Sequence, residues 1–430
     1  MARVAVLGAG AMGLAAGYEA LKAGHEVTLF EADTQPGGMA AHFNFDGLSI
    51  ERFYHFICRS DHATFELCEE LGIRDRLRWR DTSMGYFIRG EHHRWGDPLA
   101  LLKFPHLSLL EKLRFGLTMF LATKRSNWRP LDQESARDWF VRTCGQRAWD
   151  TLWEPLFRLK FYEFTDDISA AWIWSRIKRL GTSRRSIFQE QLGYLEGGSE
   201  ALVTALVNAI DRLGGEIRLS QPAREVLVAD GRVTGLESDA GQQPFDAVLS
   251  TVPTPLIERL VPDLGDEALR PYREIQNIGV VCVVLKLAQP VSPHFWINIC
   301  DDAMEIPGIV EFSNLRPTPD TVVYVPFYMP TTNAKFGQSD KAFVDECMSY
   351  VRQLNPRIGD ADLKAAKVGR LRHAQPVCGV GFAEQIPPIQ TPVAGLQIAD
   401  TCFYYPEDRG ISESVRVGRE MARAVATSGT

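Results

Sequence analysis

The chain has no CxxC pair, no cluster of histidine with cysteine or carboxylate at metal-ligand spacing, and no apolar run near the ~20 residues that a bilayer span needs. Zinc-ribbon sites and membrane-crossing helices are therefore not expected. The eight cysteines (Cys58, Cys68, Cys144, Cys282, Cys300, Cys347, Cys378 and Cys402) are scattered and read as reduced thiols of a cytoplasmic protein. No signal-peptide pattern precedes the first strand, which predicts a soluble chain. Excess positive charge is missing too: 47 Lys and Arg stand against 54 Asp and Glu, for a net charge of −7, so nucleic acid is not an expected partner. Internal repeats and low-complexity linkers are absent. The remaining composition, 45% hydrophobic and 23% charged over 430 residues, suits a globular chain too long for one simple core. Two closely joined domains are expected.

The most informative stretch is the first. Arg3-Val4-Ala5-Val6-Leu7 is a short apolar run of the kind that forms a buried parallel strand, and it ends in Gly8-Ala9-Gly10-Ala11-Met12-Gly13. A helix of small and apolar residues follows, Gly24 stops it, and a second strand leads to Glu31. In such a unit Gly8 permits the tight turn, Gly10 lets backbone approach a pyrophosphate, and Gly13 lets the helix pack on the strand. The helix N-terminus offers free N–H groups to phosphates. Glu31, 23 residues after Gly8, is placed to accept hydrogen bonds from both ribose hydroxyls of an adenosine, with Ala32 beside it.

A second glycine pair, Gly37-Gly38, comes soon after the acid and is followed by Met39. This arrangement resembles the FAD-binding flavin amine oxidase, protoporphyrinogen oxidase and phytoene desaturase superfamily. Two later blocks carry the same resemblance. One runs from Ala223 through Phe245-Asp246-Ala247-Val248-Leu249-Ser250-Thr251; the other is the turn and strand ending at Asp400, followed by a helix from Ser412. The loop Tyr404-Tyr405-Pro406-Glu407-Asp408-Arg409-Gly410 looks like one found in bacterial protoporphyrinogen-oxidase-like proteins of uncertain substrate. The resemblance implies FAD as cofactor. It implies that Ala223 meets the adenine through its backbone, that Thr251 and Asp400 lie along the cofactor, and that the N–H groups of Ile411 and Ser412 face the flavin pyrimidine, where a reduced flavin carries negative charge. The segment after the second glycine pair would run beneath the isoalloxazine, making Tyr54 and His55 the candidate catalytic residues. The FAD is expected to be non-covalent, since no His or Cys lies in a family-matched attachment position; Cys402, near the flavin, is the residue that leaves a covalent link open.

The fold expected is α/β: a discontinuous Rossmann-type FAD-binding domain with a parallel sheet (1–57, 193–258 and 371–430), a helical insertion (58–192) and a sheet-containing substrate region (259–370). Helical spacing is clearest at 63–71, 107–124, 135–143 and 171–180. The insertion is rich in tryptophan and holds two basic stretches. Between Lys103 and Arg129 there are six Lys or Arg against the single acid Glu111, and Arg176, Lys178, Arg179, Arg184 and Arg185 have no acid among them. Such runs suit a solvated face, an anionic substrate group, or peripheral contact with an acidic membrane surface. Substrate-lining candidates are Trp296, Tyr324, Tyr328 and Tyr404, with Arg184, Arg185 and Arg409 as anchors for an anionic group.

These readings predict an FAD-dependent oxidoreductase that removes a hydride from a C–H bond of a fairly large, partly apolar, anionic small molecule or lipid. A non-redox flavoenzyme acting on a nucleotide-linked sugar, as in the UDP-galactopyranose mutases, is the alternative, and a flavin-containing lipid carrier without turnover is a third.

Overall fold

The structure, a computed structural model, describes residues 1–427. Among these, five strands form one wholly parallel sheet in the order Glu216–Arg218, Glu26–Phe30, Arg3–Leu7, Ala247–Ser250, Leu396–Ile398. Three separate regions of the chain contribute to it. Val4, Ala5 and Val6 of its central strand are wholly buried, because helices cover one face and a small antiparallel sheet covers the other. The helices Ala11–Lys22, Ser199–Arg212 and Ile411–Thr427 share the first face, with Leu14, Leu202 and Val415 in one cluster.

The helix Ser199–Arg212 has an unusual start. Gly198, at φ +73°, is the N-cap, and Ser199 is already inside the helix. A distant carboxylate does the capping: Ser199 N donates to Glu51 Oε1 at 2.9 Å. Glu51 is buried, accepts from Arg316 at 3.2 Å and has His42 nearby. Despite its burial, His42 beside it, the Arg316 charge and the Ser199 N–H together hold its carboxyl down at about 2.

A second, seven-stranded sheet runs Leu363–Pro376, Asn277–Leu287, Thr321–Met329, Gly308–Glu311, Trp296–Ile299, Met84–Ile88, Glu91–Trp95. Its last two strands come from the stretch expected to be helical. That expectation is corrected further by Leu77–Thr82, Arg184–Ser186 and Gln189–Leu195, which form a three-stranded sheet of their own. Met84–Ile88 is an apolar run too short for its period to distinguish strand from helix. Leu363–Pro376 crosses the expected boundary at 370/371. It lies at one end of the sheet, where partly exposed Lys and Arg side chains mask its strand character.

The expected helices of the insertion are present, as His62–Glu70, Leu109–Lys124, Ala136–Cys144 and Ala170–Thr182. Two more, Gln146–Leu152 and Glu154–Phe161, join them. Their shared core is aromatic; Trp174 Nε1 donates to the Ala122 carbonyl at 2.9 Å, while Trp153 Nε1 is buried without a partner. The two excursions from the parallel sheet thus meet in one mixed sheet with helices on its flank. Among the described residues no helix is long and apolar enough to cross a membrane.

Candidate active site

At the carboxyl end of strand Arg3–Leu7 the chain turns through Gly8, at φ +95°, where an added Cβ would lie 2.7 Å from Thr251 Oγ1. Thr251 donates that hydroxyl to the Leu7 carbonyl at 2.7 Å, closing the turn against the neighbouring strand. A Cβ on Gly13 would sit 1.9 Å from the Gly8 carbonyl oxygen, so this position belongs to helix-on-turn packing. The second glycine pair folds back on the first. Gly37 N donates to the Ala9 carbonyl at 2.8 Å, and a Cβ on Gly38 would come within 3.1 Å of Gly10 Cα. Two glycine turns therefore form a side-chain-free floor at the N-terminus of helix Ala11–Lys22, where the first N–H groups have no partner within the helix.

This floor belongs to a cavity of about 800 Å³. The Rossmann-type domain contributes Gly8, Gly10, Ala11, Met12, Glu31, Ala32, Gly37, Gly38, Met39, Ala223, Thr251, Asp400 and Ile411 to its lining. Gly13 does not line it. Neither does Ser412, which is buried beside a smaller crevice and accepts a long 3.4 Å bond from Thr64 N. Glu31 receives Ala9 N at 2.7 Å on one oxygen and Asp33 N at 2.9 Å on the other, so it organises the turn as well as facing the cavity. Asp400 is bound in the same way, by Thr254 N at 2.7 Å and Cys402 N at 2.8 Å. A bare backbone floor, a helix N-terminus and a carboxylate at the neighbouring strand end fit the pyrophosphate and ribose of a dinucleotide.

The insertion and the mixed sheet supply the remaining walls. Tyr54, His55, Trp296, Tyr328, Tyr404 and Arg409 all line the cavity. Tyr54 packs edge-on against Trp296 and Tyr324, with ring centroids 5.6 and 5.7 Å apart. Tyr324 itself is sealed in the core, its hydroxyl donating to the Glu51 carbonyl at 2.7 Å, and is not a lining residue. His55 Nδ1 is enclosed without a hydrogen-bond partner. Desolvation pulls its pKa down to about 4, so the ring is neutral at pH 7. Arg409 donates to Tyr328 Oη at 3.0 Å and to the Ala374 carbonyl.

Arg184 and Arg185 are not part of this constellation. They lie on a surface hairpin, where Arg184 binds the Ser186 and Ile187 carbonyls and Arg185 pairs with Asp81 at 3.0 Å. The same basic stretch does reach the cavity through Arg176 and Arg179, spaced i, i+4 and i+7 from Trp172 on the inward face of helix Ala170–Thr182. That spacing was visible in the sequence. Lys160 also lines the cavity; it lies on Glu154–Phe161, a helix without a clear periodic signal. Cys402 is buried and outside the lining. All eight cysteines are free, and among the described residues no group of His, Cys, Asp and Glu could hold a metal.

Comparison with known proteins bears on this cavity. A family model described as "Flavin containing amine oxidoreductase" matches residues 13–383. A curated relative, 15-cis-phytoene desaturase of Synechococcus elongatus, is 26% identical over 321 residues, which cover 69% of this chain and 65% of that protein. The chain thus spans somewhat less than two thirds of that relative's length. Among solved structures, a protein of Exiguobacterium sp. 255-15, provisionally named a protoporphyrinogen oxidase, superposes with a TM-score of 0.77 at 21% identity, covering 99% of this chain and 98% of its own. A reduced UDP-galactopyranose mutase gives a TM-score of 0.77 at 15% identity, covering 99% and 95%. At such identities the two structural likenesses establish the fold alone.

Proposed function

Because the chain belongs to the flavin-containing amine oxidoreductase family, we propose that it is an FAD-dependent oxidoreductase that takes a hydride from a C–H bond of a fairly large, partly apolar, anionic small molecule. The carrying observation is continuity: one cavity joins the glycine floor to a chamber walled by Trp153, Phe157, Trp172, Trp296 and Tyr328. FAD, when bound, supplies the hydride acceptor. The glycine turns and the Ala11–Lys22 N-terminus hold the pyrophosphate, Glu31 takes the ribose hydroxyls, and the Ile411–Thr427 N-terminus stabilises negative charge at the ring end. Aromatic walls exclude water from the reacting bond. His55, neutral at pH 7, lines this chamber with Tyr54 beside it and is the candidate acid or base.

The test is anaerobic titration of the purified yellow protein with apolar acids, following loss of flavin absorbance. Bleaching by a substrate with oxidised product recovered supports the reading; sugar isomerisation only after chemical reduction of the flavin would favour the mutase-like alternative.

We also propose a cytoplasmic protein that touches membranes peripherally. On Leu109–Lys124 the side chains of Leu109, Leu110, Leu113, Leu117, Phe120 and Leu121 are 54–65% exposed, while Phe115, Thr118 and Ala122 face inward. The helix is therefore apolar on two opposite faces. Leu99 and Leu102, 57% and 52% exposed, extend the outer stripe, and Lys112, Lys124 and Arg125 stand beside it. Each half-exposed leucine entering hydrocarbon gains roughly 1 kcal/mol, and the cations suit anionic headgroups. Co-sedimentation with phosphatidylglycerol vesicles, abolished by Leu113→Glu with Leu117→Glu, is expected; equal sedimentation of that variant would refute the contact.

A further inference from the structure

Apart from the exposed Arg259, two cations in the cavity lining form no ion pair with a carboxylate among the described residues. Arg176 stacks on Trp172, 3.8 Å from the ring centroid, and its charge is met by Asp408. Arg179 is met by Asp61 at 2.8 Å. The Arg409 guanidinium donates to the Tyr328 hydroxyl and a backbone carbonyl and forms no ion pair among the described residues, although its backbone N donates to Asp408 Oδ1 at 2.8 Å. Lys160 is barer still: it has no hydrogen bond or ion pair among the described residues, and its Nζ is surrounded by rings, 4.7 Å from the Tyr328 centroid, 5.0 Å from Trp172 and 5.7 Å from Phe161. Lys160 and Arg409 gather around one residue, since Arg409 Cζ is 5.5 Å from the same Tyr328 centroid.

A purely structural lysine does not explain this. Ring faces attract an ammonium, but they do not replace the hydrogen bonds it leaves in water, and a like charge close by raises the cost. Burial and the neighbouring charges of Arg176 and Arg409 push the Lys160 pKa well down, and the Asp408 carboxylate offsets them only in part. An incoming anion would relieve each of these penalties together. Within the cavity the surrounding surface is apolar and aromatic, which suits the body of a molecule whose charge is confined to one end.

We propose that Lys160 and Arg409, with the Tyr328 hydroxyl, form an oxyanion subsite that holds the carboxylate or phosphate ester of an apolar substrate, whose body lies against Phe157, Phe161 and Trp172. The proposal rests on the oxidoreductase reading of this cavity and names its substrate class. Arg184 and Arg185 have no part in it.

The experiment uses the full-length FAD-loaded protein and three probes with one ring system: 2-naphthoate, 2-naphthyl phosphate and the neutral 2-naphthamide. Binding is followed by tryptophan fluorescence and by perturbation of the oxidised flavin spectrum, without turnover. At least one acid is expected to bind tenfold or more tightly than the amide. Lys160→Met and Arg409→Met should each weaken the acid at least tenfold and leave the amide within twofold, which also reports an intact chamber; Lys160→Arg should restore acid binding. The preferred acid separates carboxylate from phosphate. Equal affinities for acid and amide, no binding of either acid, or parallel losses of acid and amide in the variants would overturn the subsite. Because no electron transfer is read, acid selectivity in a protein that never reduces its flavin would reject the oxidoreductase reading and leave the subsite standing.

Discussion

Gly418 of the C-terminal helix lies so close to Met12 of the first helix that an added Cβ would be 2.3 Å from the Met12 carbonyl oxygen. This contact brings the N-termini of both helices, at Ala11 and Ile411, to one cavity. In the proposed function the first would face the phosphates and the second the charged end of the flavin ring.

Gly418→Val is accordingly expected to force the helices apart. Overpacking of this kind costs about 1–3 kcal/mol, and the displaced N-termini should also release flavin. Thermal unfolding and the ratio of flavin to protein absorbance check both effects; a variant with unchanged melting and full flavin would deny the contact its role.

Removing Glu31 should weaken FAD twice over, through the ribose and through the turn that it ties to Ala9 and Asp33. We expect Glu31→Ala to cost roughly 1.5–3 kcal/mol of FAD affinity, about ten- to a hundredfold in Kd. Glu31→Gln, which keeps an acceptor, should lose less. Equal losses in the two variants would argue against direct acceptance by Glu31.

Asp400 has both oxygens engaged by backbone N–H groups, so Asp400→Ala should lower stability by about 1–3 kcal/mol as well as disturb flavin binding. Denaturant unfolding of the flavin-free protein isolates the first effect. No change there would leave cofactor contact as its single role.

Glu51 sets a pH dependence. Its folded pKa of about 2 lies below the usual glutamate value of 4.5, so its stabilisation is fully present above about pH 5 and is lost as pH falls toward 2. The shift corresponds to roughly 3 kcal/mol. The stability difference between wild type and Glu51→Gln should shrink across that window, as measured by urea unfolding at several pH values. A difference that stays constant would mean that the carboxylate is not depressed.

Flavin should be non-covalent. Cys402 is buried outside the cavity lining, and its thiol is pushed far up by burial, which keeps it protonated and unreactive. Acid precipitation is expected to release all FAD to the supernatant; flavin retained on a tryptic peptide would contradict this.

Local chemistry carried much of this molecule. The Gly8, Gly10 and Gly13 turn, its flanking strands, Glu31 and the helices around 107–124 and 171–180 follow from short-range constraints: positive φ, apolar period and the acid at a strand end, each set by residues adjacent in sequence. The family resemblance added Ala223, Thr251, Asp400 and Ile411, all of which face the cavity. What only the tertiary structure decided is which basic residues point inward. Arg184 and Arg176 belong to one basic stretch, yet one ends on an exposed hairpin and the other beneath Trp172, because a turn at Ser183 ends the helix between them. Lys160 gained its place through partners far away in sequence, Trp172 and Tyr328. Charge alone says nothing of such surroundings, since the cost of burying it and the groups that offset that cost are properties of packed neighbours.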